Sequence, residues 1–421
     1  MNIDKRTTSV TVNGRQYRWP QAPTVVVCID GSEPGYIERA IERGLAPNLG
    51  RLMRNGTNLL AHSVIPSFTN PNNISIITGR PPAVHGIAGN YFLDPATGEE
   101  VMMNDARFLR AETVMKGFHD AGARVAVVTA KDKLRTLLGH GLDMRTARAI
   151  AFSSEKADKA TVAENGITDL LDFVGMALPH VYSAELSQFV LAAGVRILDT
   201  HRPDLMYLST TDYVQHKAAP GSDMANAFYA MLDRHVGELD AAGCVLALTA
   251  DHGMNDKHRS DGEPDVLYLE EVLEGWLGRD AARVILPITD PYVVHHGALG
   301  SFATIYLPNS AAAADVIVRL QGLEGVALAL TRDEACRRFE LPPDRIGDVV
   351  VISTLHKVLG TRPAKHDLSG LTEPLRSHGG VTEQVVPMIL NRKAELPNGR
   401  SLRNFDVFDV ALNHVGAHNS S

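Results

Sequence analysis

The sequence is poor in cysteine and in long apolar runs. Its three cysteines (Cys28, Cys244 and Cys336) form neither a CxxC pair nor a paired framework, which excludes a disulfide scaffold and a zinc ribbon and favours a reducing compartment. No run of 18 apolar residues occurs, so no membrane-spanning helix is predicted. Residues 1–20 are polar and lack the apolar core of a secretory signal. We therefore expect a cytoplasmic protein with no membrane partner.

An excess of basic residues is also absent. Lys and Arg number 41 against 49 Asp and Glu, which gives a formal net charge of −8, and no basic stripe is present. Nucleic acid is therefore not an expected partner. A small anionic substrate is still compatible with this charge, because a single site can be cationic. The chain of 421 residues is 44% hydrophobic and 21% charged, as is typical of a globular protein.

Short runs of apolar, often β-branched residues alternate with helical patterns along the first 250 residues. Such runs are typical of strands that are buried on both faces of a parallel sheet. They lie at residues 24–30, 125–129, 205–209 and 244–249, and the helical patterns lie at residues 35–55, 112–121, 183–201 and 225–241. This alternation predicts a layered α/β/α core around a mostly parallel central sheet.

The pattern divides the chain into four predicted segments. Residues 1–20 contain a hairpin signal around Asn13-Gly14, and residues 21–260 form the catalytic core. Residues 261–370 carry four strand patterns and two short helical patterns, which we interpret as a smaller inserted α+β cap domain. Residues 371–421 return to the core with a strand pattern at 385–390.

Acidic side chains follow the ends of three predicted core strands. Asp30 ends the first strand, Asp212 lies just past the strand at 205–209, and Asp251 and His252 follow the strand at 244–249 directly. Ligands of open α/β sheets bind outside the carboxyl ends of the strands, so these residues should converge on one edge. Converging carboxylates repel each other unless a cation lies between them. A metal site is therefore predicted at this edge.

Two further histidines extend the predicted metal site. Asp212 and His216 are spaced i, i+4, which places both on one face of a helix, and His378 lies in a glycine-flanked loop. Carboxylate and imidazole ligands without cysteine suit divalent ions such as Zn²⁺. Each residue alone has an ordinary alternative role as a helix cap, a surface pair or a hydrogen-bonded loop residue. Their joint placement at strand ends favours a metal site.

A hydroxyl group is predicted beside this site. Pro71 suits the first turn of a helix that ends before Gly79, so Thr69 lies at or near the helix N-cap. The positive end of the helix dipole favours both an alkoxide and a phosphoryl oxygen. A purely capping role for Thr69 is the ordinary alternative, and Ser67 is the competing hydroxyl.

The order of these motifs resembles that of the alkaline phosphatase superfamily. The motifs are Asp30 after a buried strand, Thr69-Asn-Pro-Asn, Asp212-xxx-His216, Asp251-His252-Gly253 and a late His378. Over essentially its whole length the chain is most similar to the nucleotide pyrophosphatase/phosphodiesterase-like branch. Within that branch it resembles the members that hydrolyse phosphonoacetate, a similarity that includes the segment Thr-Ala-Lys131-Asp-Lys133-Leu. No sulfatase Cys-x-Pro-x-Arg motif is present.

The resemblance implies a hydrolase with two zinc ions. It assigns Asp212, His216 and His378 to one ion, Asp30, Asp251, His252 and the Thr69 oxygen to the other, and Asn90 to a phosphoryl oxygen. Mn²⁺ or Fe²⁺ would accept the same ligands. Thr69 would attack phosphorus and form a phosphothreonine intermediate, and the carbon–phosphorus bond of phosphonoacetate would be cleaved to give acetate and phosphate.

Two lysines are candidates for binding the substrate carboxylate. Lys131 and Lys133 follow the strand at 125–129, so they should emerge at the same edge as the metal ligands. The leaving group of phosphonoacetate is a carbanion, which is stabilised when its charge is delocalised into a carboxylate held by a cation. A solvated surface pair is the ordinary alternative for these lysines.

Three other functions remain open from the sequence. The nearest is a phosphodiesterase or nucleotide pyrophosphatase with the same metals, and the others are a phosphate-transferring mutase and a binding protein without turnover. His258, His295 and His296 are further candidates for a ligand or a proton donor. A homodimer, the commonest assembly, is one expected oligomeric state.

Overall fold

A computed structural model describes residues 8–290, 296–397 and 399–416. The strands within these residues are, in chain order, β1 (Ser9–Val12), β2 (Arg15–Arg18), β3 (Thr24–Cys28), β4 (Thr57–His62), β5 (Tyr91–Leu93), β6 (Glu100–Met102), β7 (Val125–Thr129), β8 (Ala149–Ser153), β9 (Leu205–Ser209), β10 (Val245–Thr249), β11 (Asn255–Asp256), β12 (Val266–Tyr268), β13 (Arg283–Ile285), β14 (Phe302–Tyr306), β15 (Val326–Thr331), β16 (Val349–Ser353), β17 (Val358–Gly360), β18 (Arg376–Ser377) and β19 (Val385–Leu390).

The α-helices of the same part of the chain are α1 (Pro34–Glu42), α2 (Pro47–Asn55), α3 (Thr69–Thr78), α4 (Pro82–His85), α5 (Val114–Asp120), α6 (Asp132–Leu138), α7 (Val162–Asn165), α8 (Leu170–Val174), α9 (Glu185–Thr200), α10 (Tyr213–Lys217), α11 (Asp223–Ala241), α12 (Leu269–Leu277), α13 (Ala313–Gln321), α14 (Arg332–Phe339) and α15 (Val407–Asp409). None of the helices described is long and apolar enough to cross a membrane.

A seven-stranded sheet forms the centre of the molecule, with the spatial order β4-β19-β10-β3-β9-β7-β8. The strands from β10 to β8 in this order pair in parallel, and β19 is antiparallel to both of its neighbours. Every residue of β3, β7, β8, β9 and β10 is buried, because apolar layers cover both faces of the sheet. The predicted α/β class with a mostly parallel central sheet is confirmed.

A second sheet lies in the later part of the chain, with the order β13-β14-β16-β15. Helices α13 and α14 bury apolar residues in the same hydrophobic cluster as this sheet. The cluster also includes Ile65 and Phe68, which immediately precede α3. This packing brings the second sheet next to the start of α3.

Two local features show how particular residues determine a turn and a helix boundary. Asn13 and Gly14 have φ values of 49° and 74°, the left-handed pair that a tight hairpin between β1 and β2 requires. The single helix expected over residues 35–55 is instead two helices, α1 and α2. Gly44 has a φ of 73° between them, and Pro47 begins the second helix, so the helical hydrogen bonding is interrupted.

Candidate metal centre and its pocket

Three acidic residues follow the adjacent strands β10, β3 and β9. Asp30 comes two residues after β3, Asp212 three residues after β9 and Asp251 two residues after β10. All three carboxylates are buried, and the side chain of His252 is fully inaccessible. The parallel strands therefore bring these residues to one edge of the sheet, as their positions in the sequence predict.

Asp212, His216 and His378 form one close group of possible metal-binding atoms. Asp212 is the N-cap of α10 and His216 lies in its last turn, so their spacing of four places both on one face. The Asp212 Oδ2 atom lies 2.9 Å from His216 Nε2 and 3.7 Å from His378 Nε2. His378 follows β18, which brings it from the late part of the chain.

A second close group contains Asp30, Asp212 and His252. His252 Nε2 lies 3.4 Å from Asp30 Oδ1 and 3.7 Å from Asp251 Oδ2. The hydroxyl oxygen of Thr69 lies 3.5 Å from the same nitrogen. Asp212 thus belongs to both groups, whereas Asp251 is not among the residues of the second group.

The hydrogen bonds of the three histidines indicate which ring nitrogen of each could bind a cation. The Nδ1 atoms of His216, His252 and His378 lie 2.8, 2.9 and 2.8 Å from backbone carbonyl oxygens of Arg376, Gly253 and Ser67. A neutral imidazole carries one N–H, and these carbonyls require it at Nδ1. Each Nε2 therefore presents a lone pair toward the carboxylates, which is the arrangement of metal-bound histidines.

The electrostatics of the carboxylates agree with such binding. Burial and the charges of Asp212 and Asp251 raise the pKa of Asp30 well above its usual range. The Oδ1 atom of Asp30 is buried and has no hydrogen-bond partner among the described residues. Burial opposes ionisation of Asp212 as well, but the positive charge that protonated His216 and His378 bring in the metal-free site holds its pKa well below the usual range, and a bound cation would supply the same charge. Cations held between these groups would satisfy both the unpartnered oxygen and the lone pairs.

A pocket opens above this centre. Of the ten predicted site residues, eight line it: Asp30, Thr69, Asn90, Lys131, Lys133, Asp212, His216 and His378. Asp251 and His252 are not in the lining, and both are fully inaccessible to solvent. Asn90 Oδ1 accepts the backbone N–H of Asn70 in the first turn of α3, at 3.1 Å. The pocket therefore combines a hydroxyl, an amide and two lysines beside the acidic cluster.

The two lysines occupy different surroundings. Lys131 lies near enough to Asp30 and Asp212 to favour their ionised forms. Lys133 is paired with Asp290, which follows the strand β13. Burial, with a smaller contribution from Lys131, lowers the pKa of Lys133 to about 7.

Asp290 and His296 line the pocket, and sequence reasoning did not assign Asp290 at all. Burial, with a smaller effect of His216, lowers the pKa of His296 to about 3, and its ring centroid lies 5.1 Å from that of His216. The doublet of histidines at 295–296 was the available signal for this segment. His295 lies outside the described residues.

Two residues that the sequence offers for the site, His258 and Ser67, do not line the pocket. Ser67, the competing hydroxyl, donates to the carbonyl oxygen of Gly380 at 2.8 Å and accepts the N–H of Gly379 at 3.1 Å. Thr69 is therefore the hydroxyl that faces both the pocket and the histidine of the second group. The arrangement suits nucleophilic attack on a phosphorus atom that carries negatively charged oxygens.

Comparison with known families supports this chemistry. The model of the type I phosphodiesterase/nucleotide pyrophosphatase family matches residues 24–380. The chain is 26% identical over 233 residues to an uncharacterized pyrophosphatase/phosphodiesterase of Schizosaccharomyces pombe, covering 52% of this chain and 40% of that protein. It is 26% identical over 245 residues to the venom phosphodiesterase of Macrovipera lebetinus, covering 56% and 26% respectively. The chain thus matches less than half the length of these relatives.

Solved structures give a closer likeness. The crystal structures of phosphonoacetate hydrolase from Sinorhizobium meliloti 1021, in complex with phosphonoformate and with phosphonoacetate, are 62% identical to this chain with a TM-score of 0.94. The match covers 96% of this chain and 98% of that one. Murine ectonucleotide pyrophosphatase/phosphodiesterase 5 has a TM-score of 0.62 at 16% identity, with 95% of this chain and 98% of that chain covered, so it shares the fold.

Proposed function

The chain belongs to the type I phosphodiesterase/nucleotide pyrophosphatase family, and on that premise we propose that it hydrolyses the carbon–phosphorus bond of phosphonoacetate to give acetate and phosphate. The likeness to phosphonoacetate hydrolase over nearly the whole of both chains carries the proposal. The pocket supports it, because Thr69 and two lysines line the same cavity as the acidic cluster.

We propose that the activity depends on metal ions, and the ligands that the chain presents support this. Asp212, His216 and His378 would hold one ion, and Asp30, Asp251, His252 and the Thr69 oxygen would hold the other. We propose Zn²⁺ for both ions, since carboxylate and imidazole ligands suit it, while Mn²⁺ and Fe²⁺ accept the same set. When bound, two such ions supply positive charge that stabilises the attacking and leaving sides of a displacement at phosphorus.

Thr69 is the proposed nucleophile. It is the first residue of α3, and the N-cap position is Phe68, so its hydroxyl is not used as a helix cap. The N-terminal end of the helix favours negative charge on the attacking oxygen. Attack forms a bond from Thr69 to phosphorus while the carbon–phosphorus bond breaks, and water then hydrolyses the resulting phosphothreonine. The amide of Asn90, which lines the pocket beside α3, would donate to a phosphoryl oxygen.

Lys131 and Lys133 are the residues that we propose stabilise the leaving group. The electron pair of the broken carbon–phosphorus bond passes into the adjacent carboxylate as an enediolate, whose carbon then takes a proton to become the methyl group of acetate. Lys131 and Lys133 would hold that carboxylate and stabilise the charge as it develops. Ile288, Asp290 and His296 line the pocket beside the lysines. We propose that residues 261–370, which contain these three residues, act as a cap over the core.

The second candidate is a phosphodiesterase, which the family model and the venom enzyme favour. Its leaving group is an oxygen, which has no need of the two lysines. Turnover of phosphonoacetate and of bis(p-nitrophenyl) phosphate should be measured on the same zinc-loaded preparation. We expect phosphonoacetate to have the larger kcat/KM. A larger value for the diester would refute the proposed function.

Location and assembly are also proposals. We propose a cytoplasmic protein, which the widely separated free cysteines support. A homodimer is proposed on frequency alone, since two-fold dimers are the commonest assembly. Analytical ultracentrifugation of the purified chain tests it, and a single monomeric species would refute it. Besides a second copy of the chain, the partner that we propose is the substrate, a small anionic phosphonate.

A further inference from the structure

Asn73 is a buried polar residue whose side chain joins the candidate nucleophile to the acidic cluster. It lies in α3, one turn after Thr69, and has no exposed surface. Its Nδ2 atom donates to the carbonyl oxygen of Thr69 and to Asp251 Oδ2, each at 3.1 Å. Its Oδ1 atom accepts the hydroxyls of Tyr207 and Ser209 at 2.7 and 2.8 Å.

These four contacts fix the orientation of the amide. A backbone carbonyl and an ionised carboxylate are acceptors only, so the nitrogen must face Thr69 and Asp251. The oxygen then faces β9, where Tyr207 and Ser209 lie two residues apart on the same face of the strand and donate to it. Rotating the amide by 180° would set its oxygen against two acceptors and lose the hydrogen bonds to Thr69 and Asp251.

The same network fixes the carboxylate of Asp251. Its Oδ1 atom accepts the backbone N–H groups of Gly31 at 3.1 Å and His252 at 2.9 Å. Its Oδ2 atom accepts Asn73 and lies 3.7 Å from His252 Nε2. Within the described residues, Asn73 therefore supplies the only side-chain N–H that the Asp251 carboxylate accepts, and it is donated to the oxygen nearer His252 Nε2.

We propose that Asn73 is a positioning residue for the second of the two proposed ions, which is assigned to Asp30, Asp251, His252 and the Thr69 oxygen. It holds the Asp251 Oδ2 atom in place and couples that atom to the start of the helix that carries Thr69. The inference rests on the proposed function, because it assigns Asn73 a role only if Asp251 binds an ion. Hydrogen-bonding partners behind a ligand set the ligand's orientation and typically change metal affinity by 10- to 100-fold.

The test is the isosteric substitution Asn73→Asp, which keeps an acceptor for Tyr207 and Ser209 and, when ionised, replaces the N–H donor to Asp251 with a second negative oxygen. Asn165→Asp is the matched control. Asn165 is also buried, and its amide donates to the carbonyl of Ala151 at 2.8 Å and accepts the N–H of Thr161 at 3.1 Å, without contacting the pocket. Each metal-free protein should be titrated with Zn²⁺ against a chromophoric chelator, and its Tm recorded before metal is added.

The parent and Asn165→Asp should bind two equivalents of Zn²⁺ with the same affinities. Asn73→Asp should keep one equivalent at parental affinity and bind the other 10- to 100-fold more weakly. Unchanged affinities, or equal weakening of both equivalents, would overturn the inference. A parent that binds fewer than two ions would instead refute the di-metal centre itself.

A second pair of variants keeps the inference testable if Asn73→Asp does not fold. Tyr207→Phe and Ser209→Ala retain Asn73 but each remove one hydroxyl that orients its amide. Each should weaken the same single equivalent by a smaller factor, and their combination should weaken it further. A double variant with parental affinity for both equivalents would overturn the inference.

Discussion

Lys133 of the core is paired with Asp290, a buried residue of the later segment that lines the same pocket. In this ion pair, a carboxylate of the protein contacts the same lysine that we propose binds the carboxylate of the substrate. The negative charge of Asp290 favours the charged form of Lys133. Burial, which has the largest effect on the pKa, and Lys131 disfavour that form, while Glu155 and Asp212 favour it. Both substitution of Lys133 and a change of pH should consequently alter the reaction.

Replacing Lys133 with Met should lower kcat/KM for phosphonoacetate by about 100-fold or more, because a charge that stabilises the leaving group is lost. Zinc content should be unchanged, and turnover of bis(p-nitrophenyl) phosphate should fall little. Lys159→Met, at an exposed lysine, is the control and should match the parent. Equal losses with both substrates would show that Lys133 does not act on the carbon leaving group.

Activity on phosphonoacetate should fall at alkaline pH. The pKa of Lys133 is about 7, so the free protein loses this charge as pH rises through 7, and kcat/KM should decline about tenfold per pH unit above that value. In Asp290→Asn the opposing carboxylate is gone, so the decline should begin at a lower pH. Lys133→Arg, whose guanidinium stays charged, should remove this decline. An unshifted pH profile in both variants would contradict the assignment.

Replacing Thr69 with Ala should abolish hydrolysis of phosphonoacetate while both zinc equivalents can still be bound, the second more weakly because one oxygen ligand is lost. Thr69→Ser, which keeps the hydroxyl, should retain part of the activity. Thr161→Ala is a useful contrast, because the Thr161 hydroxyl caps α7 by accepting the N–H of Glu164 at 3.2 Å. That change should cost about 1 kcal/mol of stability and no activity. Residual turnover in Thr69→Ala near the parental rate would exclude Thr69 as the nucleophile.

Removing metal should destabilise the protein in a pH-dependent way. Zinc at 100 times its Kd should add about 2.7 kcal/mol to the free energy of unfolding for each ion bound. In the metal-free protein the pKa of Asp30 is raised, so the folded state gains a proton as pH falls and the carboxylate repulsion is relieved. Protons also compete with the metal for its ligands. The difference in Tm between zinc-bound and metal-free protein should therefore narrow as pH is lowered, and a constant difference would contradict this account.

The parts of the fold that the sequence predicts well are those where apolar patterning decides the structure. Strands β7, β9 and β19 have the predicted ends, because their mostly apolar runs are typical of strands buried within a sheet. Strands β4 and β8 were not predicted. β4 is an edge strand whose residues alternate between buried and exposed, and β8 is rich in alanine, so neither has the β-branched run of a central strand.

The site residues, too, were predicted only where a local sequence pattern marks them. The family was predicted and is confirmed, since its motifs sit at strand ends and a helix start whose spacing is visible in the sequence. Asp290 and Asn73 were missed because their partners, Lys133 and Asp251, are distant in the chain and nothing local marks the contact. The roles of the individual metal ligands and of the two lysines stay predictions until the variants are measured.

Strand β19 has a consequence for how the chain is made. It pairs with both β4 and β10, so these two strands join one sheet only through residues 385–390. His378 lies just before it. A nascent polypeptide emerging from the ribosome therefore holds most of the ligand residues long before it can close the sheet around them, and pairings over such separations form slowly. Competence to bind metal should appear as one of the last events of co-translational folding.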